Sequence, residues 1–360
     1  MEAPSAAHRV YRVCLFYNAH MEQSTRTRFS DDLLTEDHPL RRLVRADGGR
    51  EPARLNIVLR GLVFFGTFFG VLVVLGIIGG IVYGMAAIDA GSTAPGMGFD
   101  VDDPQVMLGA MLLETVAAVT GYVVVVFCME RRRHPLEFRF SRCGGLLVGF
   151  VIGFGAIASS LGVLALTGGY RIAGFNVHYN PLVDLVALGM CAGVSEEIMM
   201  RGMLLRLIEE WLGSWGGVAV SALVFGLLHV SNPDGTLWGG LAIAIEDGIL
   251  AAALYVITRS LWVVIGEHMM WNFAEGPIFG SIVSGTGKQD SWLVAQWRGP
   301  DWLTGGSFGL EASVVPVILM GVAGVALLVY AQRKGMMVKP SWLRRRAIAS
   351  RADDSPSVDE

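Results

Sequence analysis

Residues 195–202 read Ser-Glu-Glu-Ile-Met-Met-Arg-Gly, which places two adjacent carboxylates and an arginine inside an otherwise apolar run. Glu197 and Arg201 are four apart, so on a helix they share a face and can pair, with Glu on the favoured N-terminal side. That pairing neutralises one carboxylate and leaves Glu196, about 100° round the helix, open to other work. Two further pairs at the same spacing follow, Phe225 with His229 and His268 with Asn272. A carboxylate, two imidazoles and an amide can together take up, hold and donate protons. Each pair alone is as readily a packing feature as a chemical one, so the elements that carry them decide what they mean.

Those elements are hydrophobic. The chain of 360 residues is 53% hydrophobic and only 17% charged, with a mean hydropathy of +0.51, whereas a soluble domain carries about 25% charged residues. The apolar residues fall in blocks of the length a helix needs to cross a hydrocarbon core of roughly 30 Å. Eight such blocks can be drawn: Gly61–Ile88, Val106–Cys128, Gly145–Leu166, Pro181–Ile208, Trp211–Val230, Leu237–Ile257, Leu261–Val283 and Ser313–Ala331. The expected fold is therefore all-α, a polytopic membrane bundle of about eight transmembrane helices. Its expected divisions are a largely disordered N-terminal tail (1–56), three helices (57–170), a core of four helices (180–283), a polar loop (284–312), a last helix (313–331) and a disordered C-terminal tail (332–360). Arginines crowd the N-terminal tail, the loop after the second block, the end of the fourth, Arg259 and the C-terminal tail. By the positive-inside rule this predicts an integral protein of the cell membrane with both termini cytoplasmic.

A charge at mid-bilayer costs about 2.5–3.5 kcal/mol even on the lenient insertion scale, so Glu196, Glu197 and Arg201 cannot face lipid. Counted from the expected cytoplasmic ends, Glu196, His229, His268 and Asn272 lie roughly 12–27 Å deep. Three helices can bring them together there.

At these residues the chain resembles the CPBP family, the membrane proteases that include the type II CAAX prenyl endopeptidases and the Abi proteins. That family carries EExxxR, FxxxH and HxxxN/D on successive membrane helices, here Glu196-Glu197-xxx-Arg201, Phe225-xxx-His229 and His268-xxx-Asn272. The resemblance covers about residues 180–280; Met200 departs from it, since many members carry an aromatic before the Arg-Gly. It implies peptide-bond hydrolysis at or within the membrane, on a membrane-associated, prenylated or leader-type substrate. Glu196 would be the general base towards water, and His229 would hold that water. His268 and Asn272 would donate to the oxyanion, with Glu197, Arg201 and Phe225 in support. Metal-free glutamate catalysis is expected, with no cofactor required. A metalloendopeptidase with zinc on His229, His268 and Glu196 is the other arrangement these residues permit, although HExxH is absent.

Two other classes compete. A non-catalytic CPBP-like scaffold or bacteriocin-immunity protein would tolerate degenerate motifs, and here every polar motif residue is present. A proton-coupled transporter would favour paired repeats with broken helices, and no internal repeat is visible. The net charge of −4, without basic patches interleaved with aromatics, excludes nucleic acid as a partner; lipid and a peptide or protein substrate are expected instead. Cys14, Cys128, Cys143 and Cys191 lack metal-ligand spacing. Glu114, Glu246 and Asp247 are expected to be neutralised inside the bundle, and Glu267 and Glu275 merely flank the third motif.

Overall fold

The computed structural model describes residues 34, 38–40, 56–89 and 104–346. Among them, six helical stretches are long and apolar enough to cross a bilayer. The helices are α1 (Ile57–Asp89), α2 (104–129), α3 (Gly145–Leu166), α4 (182–212), α5 (214–228), α6 (Leu237–Thr258), α7 (Leu261–Phe273, running on as a π-helical turn Ala274–Ile278) and α8 (Val314–Arg333). Their boundaries have local causes. Thr236 accepts a hydrogen bond from the Gly239 amide (2.9 Å) to start α6, and Ser313 accepts one from Val315 (3.2 Å) to start α8. Arg259 takes a left-handed conformation that closes α6 and turns the chain into α7.

Six stretches rather than the expected eight meet that length and composition, for two reasons. The fourth and fifth blocks are one stretch, residues 182–231, folded back on itself. The reversal is at Gly213, whose φ of 75° and ψ of 178° lie outside the helical region, and where an added Cβ would lie 2.6 Å from the Val338 carbonyl oxygen. The seventh block yields an α-helix of 13 residues that runs on as a π-helical turn containing Pro277, shorter than the others and not among the six.

The helices facing outward are apolar all round. Along α1 one narrow stripe, Arg60, Phe64 and Phe68, is buried, while Leu62, Ile77 and Val82 are exposed, as suits a surface that meets lipid rather than water. At the centre the pattern inverts: α6 and α7 are buried along most of their length. Glycines of α3 let α7 approach at backbone distance, and a Cβ added at Gly153 would collide with the Glu267 carbonyl.

A layer of buried ion pairs joins the helices at the arginine-rich end. Arg60 of α1 pairs with Glu130 (2.8 Å) and with Glu210 of α4, and Arg206 pairs with Glu130 (2.8 Å). Arg259 pairs with Glu209. Arg132 holds Glu137 through two bonds of 2.7 Å, and Tyr122 donates to the same carboxylate at 3.0 Å. Burial pushes the Glu137 carboxyl up, but the Arg132 guanidinium outweighs it and holds the group down at about 2.

Two further expectations need correction. The fold is not wholly α, because Tyr170–Phe175 (β1) and Leu293–Trp297 (β2) pair antiparallel, Tyr170 opposite Trp297, where loops were expected. The alternating burial of β2 and the Tyr170–Trp297 ring contact at 5.0 Å account for the pairing. Residues 334–346, expected to be unordered, dock on the α4–α5 turn through Ser214 N–H to Val338 O (3.0 Å) and Val338 N–H to Ser214 Oγ (2.8 Å). Leu34 and His38, from the expected N-terminal tail, are buried, and His38 Nε2 lies 3.2 Å from the Met336 carbonyl. The remainder of both tails lies outside the described residues.

Candidate functional site

Glu196 and Glu197 sit in a short α-helical piece of α4, Ala192–Glu197, between π-helical turns at Leu185–Cys191 and Ile198–Leu205. Such turns are frequent at functional sites. Glu197 and Arg201 form the expected ion pair, both buried. From there Arg201 reaches α6: its Nη2 is 3.3 Å from the carbonyl oxygens of Asp247 and Gly248 and 4.0 Å from the Asp247 carboxylate. Its guanidinium lies 5.0 Å from the centre of the Phe225 ring, a cation–π contact.

Phe225 is the hub of the aromatic wall. Its ring meets His229 edge-on at 4.8 Å and His268 at 5.8 Å. His229 Nδ1 is 2.8 Å from the Phe225 carbonyl oxygen, and because a carbonyl only accepts, Nδ1 carries the proton. His268 Nδ1 likewise faces a carboxylate oxygen of Glu197 at 3.1 Å. Both imidazoles therefore turn Nε2 inward, and each Nε2 is 3.9 Å from the same atom, Oε2 of Glu196. The Glu196 and His229 side chains keep 25% and 13% of their surface exposed, while Glu197 and Arg201 keep almost none. The open side of the site is thus at Glu196 and His229.

Asn272 shares the His268 face of α7, but its Nδ2 donates to the Leu188 carbonyl at 3.0 Å. It fastens α7 to the beginning of α4, with one N–H left over.

Several residues that spacing did not single out border the site. Asp247 lies beside Arg201, and Glu114 of α2 lies beside Ser195 within electrostatic reach of Glu196. Glu246 and Glu267 are fully buried, and neither accepts a hydrogen bond from the described residues. Glu311, in the loop before α8, accepts from Trp271 Nε1 (3.1 Å), the Ser284 amide (2.7 Å) and Ser284 Oγ (2.8 Å). Burial holds its carboxyl above the usual range, against His229 nearby and these donors, which pull it down. Glu275 accepts from Ser281 Oγ at 3.1 Å. Glu311 lies outside every apolar block, so nothing in the periodicity marks it.

Two sets of donors lie close enough together to be considered as metal ligands. Among the described residues, Glu197, Asp247 and His268 offer ligand atoms within 4.8 Å of one another, but Arg201 already stands against both carboxylates. For Glu196, His229 and His268, a tetrahedral zinc with bonds of about 2.0 Å sets ligand atoms roughly 3.3 Å apart. A water hydrogen-bonded at about 2.8 Å sets its partners roughly 4.6 Å apart. The observed 3.9 Å separations fall between the two. Imidazoles whose Nδ1–H meets a carboxylate or a carbonyl are oriented equally well for either occupant.

Residues 178–274 match the family model described as Type II CAAX prenyl endopeptidase Rce1-like. The matched segment holds Glu196, Glu197, Arg201, Phe225, His229, His268 and Asn272, and with them the buried Glu/Asp/His cluster. Helices α1 to α3, the loops beyond α7 and α8 lie outside it. No curated protein and no solved structure matches the chain.

Proposed function

We propose that this protein is an intramembrane endopeptidase that hydrolyses a peptide bond in a membrane-associated, prenylated or leader-type substrate. One observation carries the reading: Glu196 Oε2, buried and without a hydrogen-bond partner among the described residues, stands 3.9 Å from Nε2 of both His229 and His268. A water between these atoms gives a proton to Glu196 as its oxygen attacks the scissile carbonyl, while the Nε2 lone pair of His229 orients it. The C–N bond then breaks as Glu196 passes the proton to the departing amine. To donate from Nε2 to the oxyanion, His268 must carry both ring protons, and Glu197 against its Nδ1–H supports that charge. The spare N–H of Asn272 is the second donor, and in a site screened from water such bonds stabilise the transition state strongly.

No metal is needed for these steps. A zinc ion on Glu196, His229 and His268 would supply a Lewis acid and an activated water. The membrane is taken to be crossed twice by residues 182–231, with the arginine-rich end in the cytoplasm.

The test is cleavage by purified protein in detergent, using fluorogenic peptides with and without a prenyl group. Wild type, Glu196→Ala and wild type with a zinc chelator are compared. Cleavage lost in the variant and kept in chelator is the expected result. A Glu196→Ala protein that cleaves as fast as wild type would overturn the assignment, and loss in chelator would move the site to the zinc arrangement.

A further inference from the structure

The segment that follows α8 has features the proposed peptidase chemistry does not use. Between Glu311 and Asp353 the chain contains no acidic residue, and residues 333–346 carry six basic ones, Arg333, Lys334, Lys339, Arg344, Arg345 and Arg346. Arg344 is engaged, since its guanidinium donates to the backbone carbonyls of Lys339 and Glu210. The other five are exposed. The acids beneath them, Glu209 and Glu210, are buried and paired with Arg259 and Arg60. Among the described residues, the outer surface of the segment is therefore positive, with no exposed acid paired to these five.

Its apolar residues are placed just as unusually. Trp342 and Leu343 keep 47% and 41% of their surface exposed beside Arg345 and Arg346, and Trp211 and Trp215 are half exposed at the turn the segment grips. Trp215 Nε1 donates to Gln332 at the end of α8, at 3.1 Å. Exposed tryptophans among arginines, continuous with a lipid-facing helix, mark the level where acyl chains give way to headgroups. A nucleic acid or soluble acidic protein would have no use for apolar side chains at that depth.

We infer that residues 333–346 bind the headgroups of anionic phospholipids, with Trp342 and Leu343 in the acyl boundary and Lys339, Arg345 and Arg346 on the phosphates. The site lies outside the family match and does not depend on whether the chain cleaves peptides. It has one structural consequence. Val338 is bonded through both its N–H and its C=O to Ser214, so a bound lipid stabilises the turn between the Glu196 helix and the His229 helix.

The experiment titrates delipidated full-length protein in neutral detergent with phosphatidylglycerol or phosphatidylcholine and counts bound lipid by native mass spectrometry. Wild type should retain phosphatidylglycerol in preference to phosphatidylcholine, and its thermal midpoint should rise with phosphatidylglycerol alone. Lys339→Gln/Arg345→Gln/Arg346→Gln should weaken phosphatidylglycerol binding about a hundred-fold, while Lys339→Arg/Arg345→Lys/Arg346→Lys should retain it. Equal binding of the two lipids by wild type, or unchanged binding in a folded neutral variant, would overturn the proposal. Displacement of the lipid by an equal concentration of inorganic phosphate would show a free-anion site and overturn it too. Should the neutral variant not fold, salt decides on wild type alone. Phosphatidylglycerol binding unchanged between about 0.05 and about 0.5 M salt would exclude a headgroup site built on exposed charge.

Discussion

Oε2 of Glu196 and Nε2 of His229 stand 3.9 Å apart although thirty-three residues separate them in the chain. On one continuous helix they would be about 50 Å apart, so their meeting is the work of the reversal at Gly213. Each depends on the other in the proposed chemistry: the carboxylate takes the proton of a water that the imidazole orients.

Glu196→Gln and His229→Gln should each lower kcat by about 10²- to 10⁴-fold with little change in thermal stability, because both side chains are partly exposed. Since the two act on one water, the double variant should be no slower than the worse single one. Rate losses that multiply in the double variant would show that the residues act independently, and the shared-water mechanism would fall.

Arg201 answers to a different physics. It is buried among Glu197, the Asp247 carboxylate and two backbone carbonyls. Arg201→Met strands a buried carboxylate and should destabilise the fold by about 3–5 kcal/mol. Glu197→Gln/Arg201→Met removes both charges and should recover part of that loss. Thermal unfolding in detergent measures both, and a double variant no more stable than Arg201→Met would contradict the pairing.

What could be read from the chain follows from where its information lies. Intramembrane charges are costly, so Glu196, Glu197, Arg201, His229 and His268 stood out, and the i,i+4 spacing foretold the Glu197–Arg201 pair. The convergence of three helices was legible because all the polar residues had to avoid lipid. Asp247 was visible as a charge but not as a neighbour of Arg201, since the π-helical turn at Ala244–Gly248 shifts the face that a regular helix would present. Glu311 was not legible at all: its partners Trp271 and Ser284 are 40 and 27 residues away. Hydropathy also does not register that α7 is a regular helix over only Leu261–Phe273, with faces that meet protein rather than lipid.

Close approach of α3 to α7 gives a prediction with an internal control. A methyl at Gly153 would collide with the Glu267 carbonyl and lie 2.9 Å from the Trp271 amide nitrogen, whereas one at Gly155 meets nothing within 4 Å. Gly153→Ala should cost about 1–3 kcal/mol and slow cleavage, because α7 carries His268. Gly155→Ala should be neutral or slightly stabilising, as alanine favours helix over glycine. Equal melting temperatures for the two variants would mean that the helices are not in backbone contact.

The Arg132–Glu137 pair makes stability depend on acid. Burial alone would raise the Glu137 carboxyl, but Arg132 holds it down at about 2, below the unfolded value of about 4.3. The stabilisation is therefore complete above about pH 4.3 and is lost as pH falls towards 2, with a size on the order of 3 kcal/mol. Glu137→Gln should be less stable than wild type at pH 7, and the gap should narrow steadily as pH is lowered from about 5. A gap in melting temperature that stays constant between pH 7 and pH 3 would show that Glu137 carries no depressed pKa.

Asn272 separates two roles that its position permits. Its Nδ2 donates to the Leu188 carbonyl at 3.0 Å, which is a structural strap, and its second N–H is the proposed donor to the oxyanion. If the strap were its whole function, Asn272→Ala would lower stability by about 1 kcal/mol, and activity would fall only as far as the folded fraction fell. An oxyanion donor behaves otherwise: its bond is strongest in the transition state, so its loss should reduce kcat by about 10²- to 10³-fold with KM nearly unchanged. The second pattern is expected. Measuring kcat and KM well below the melting temperature isolates it, and a kcat within a few-fold of wild type there would leave His268 to carry the oxyanion alone.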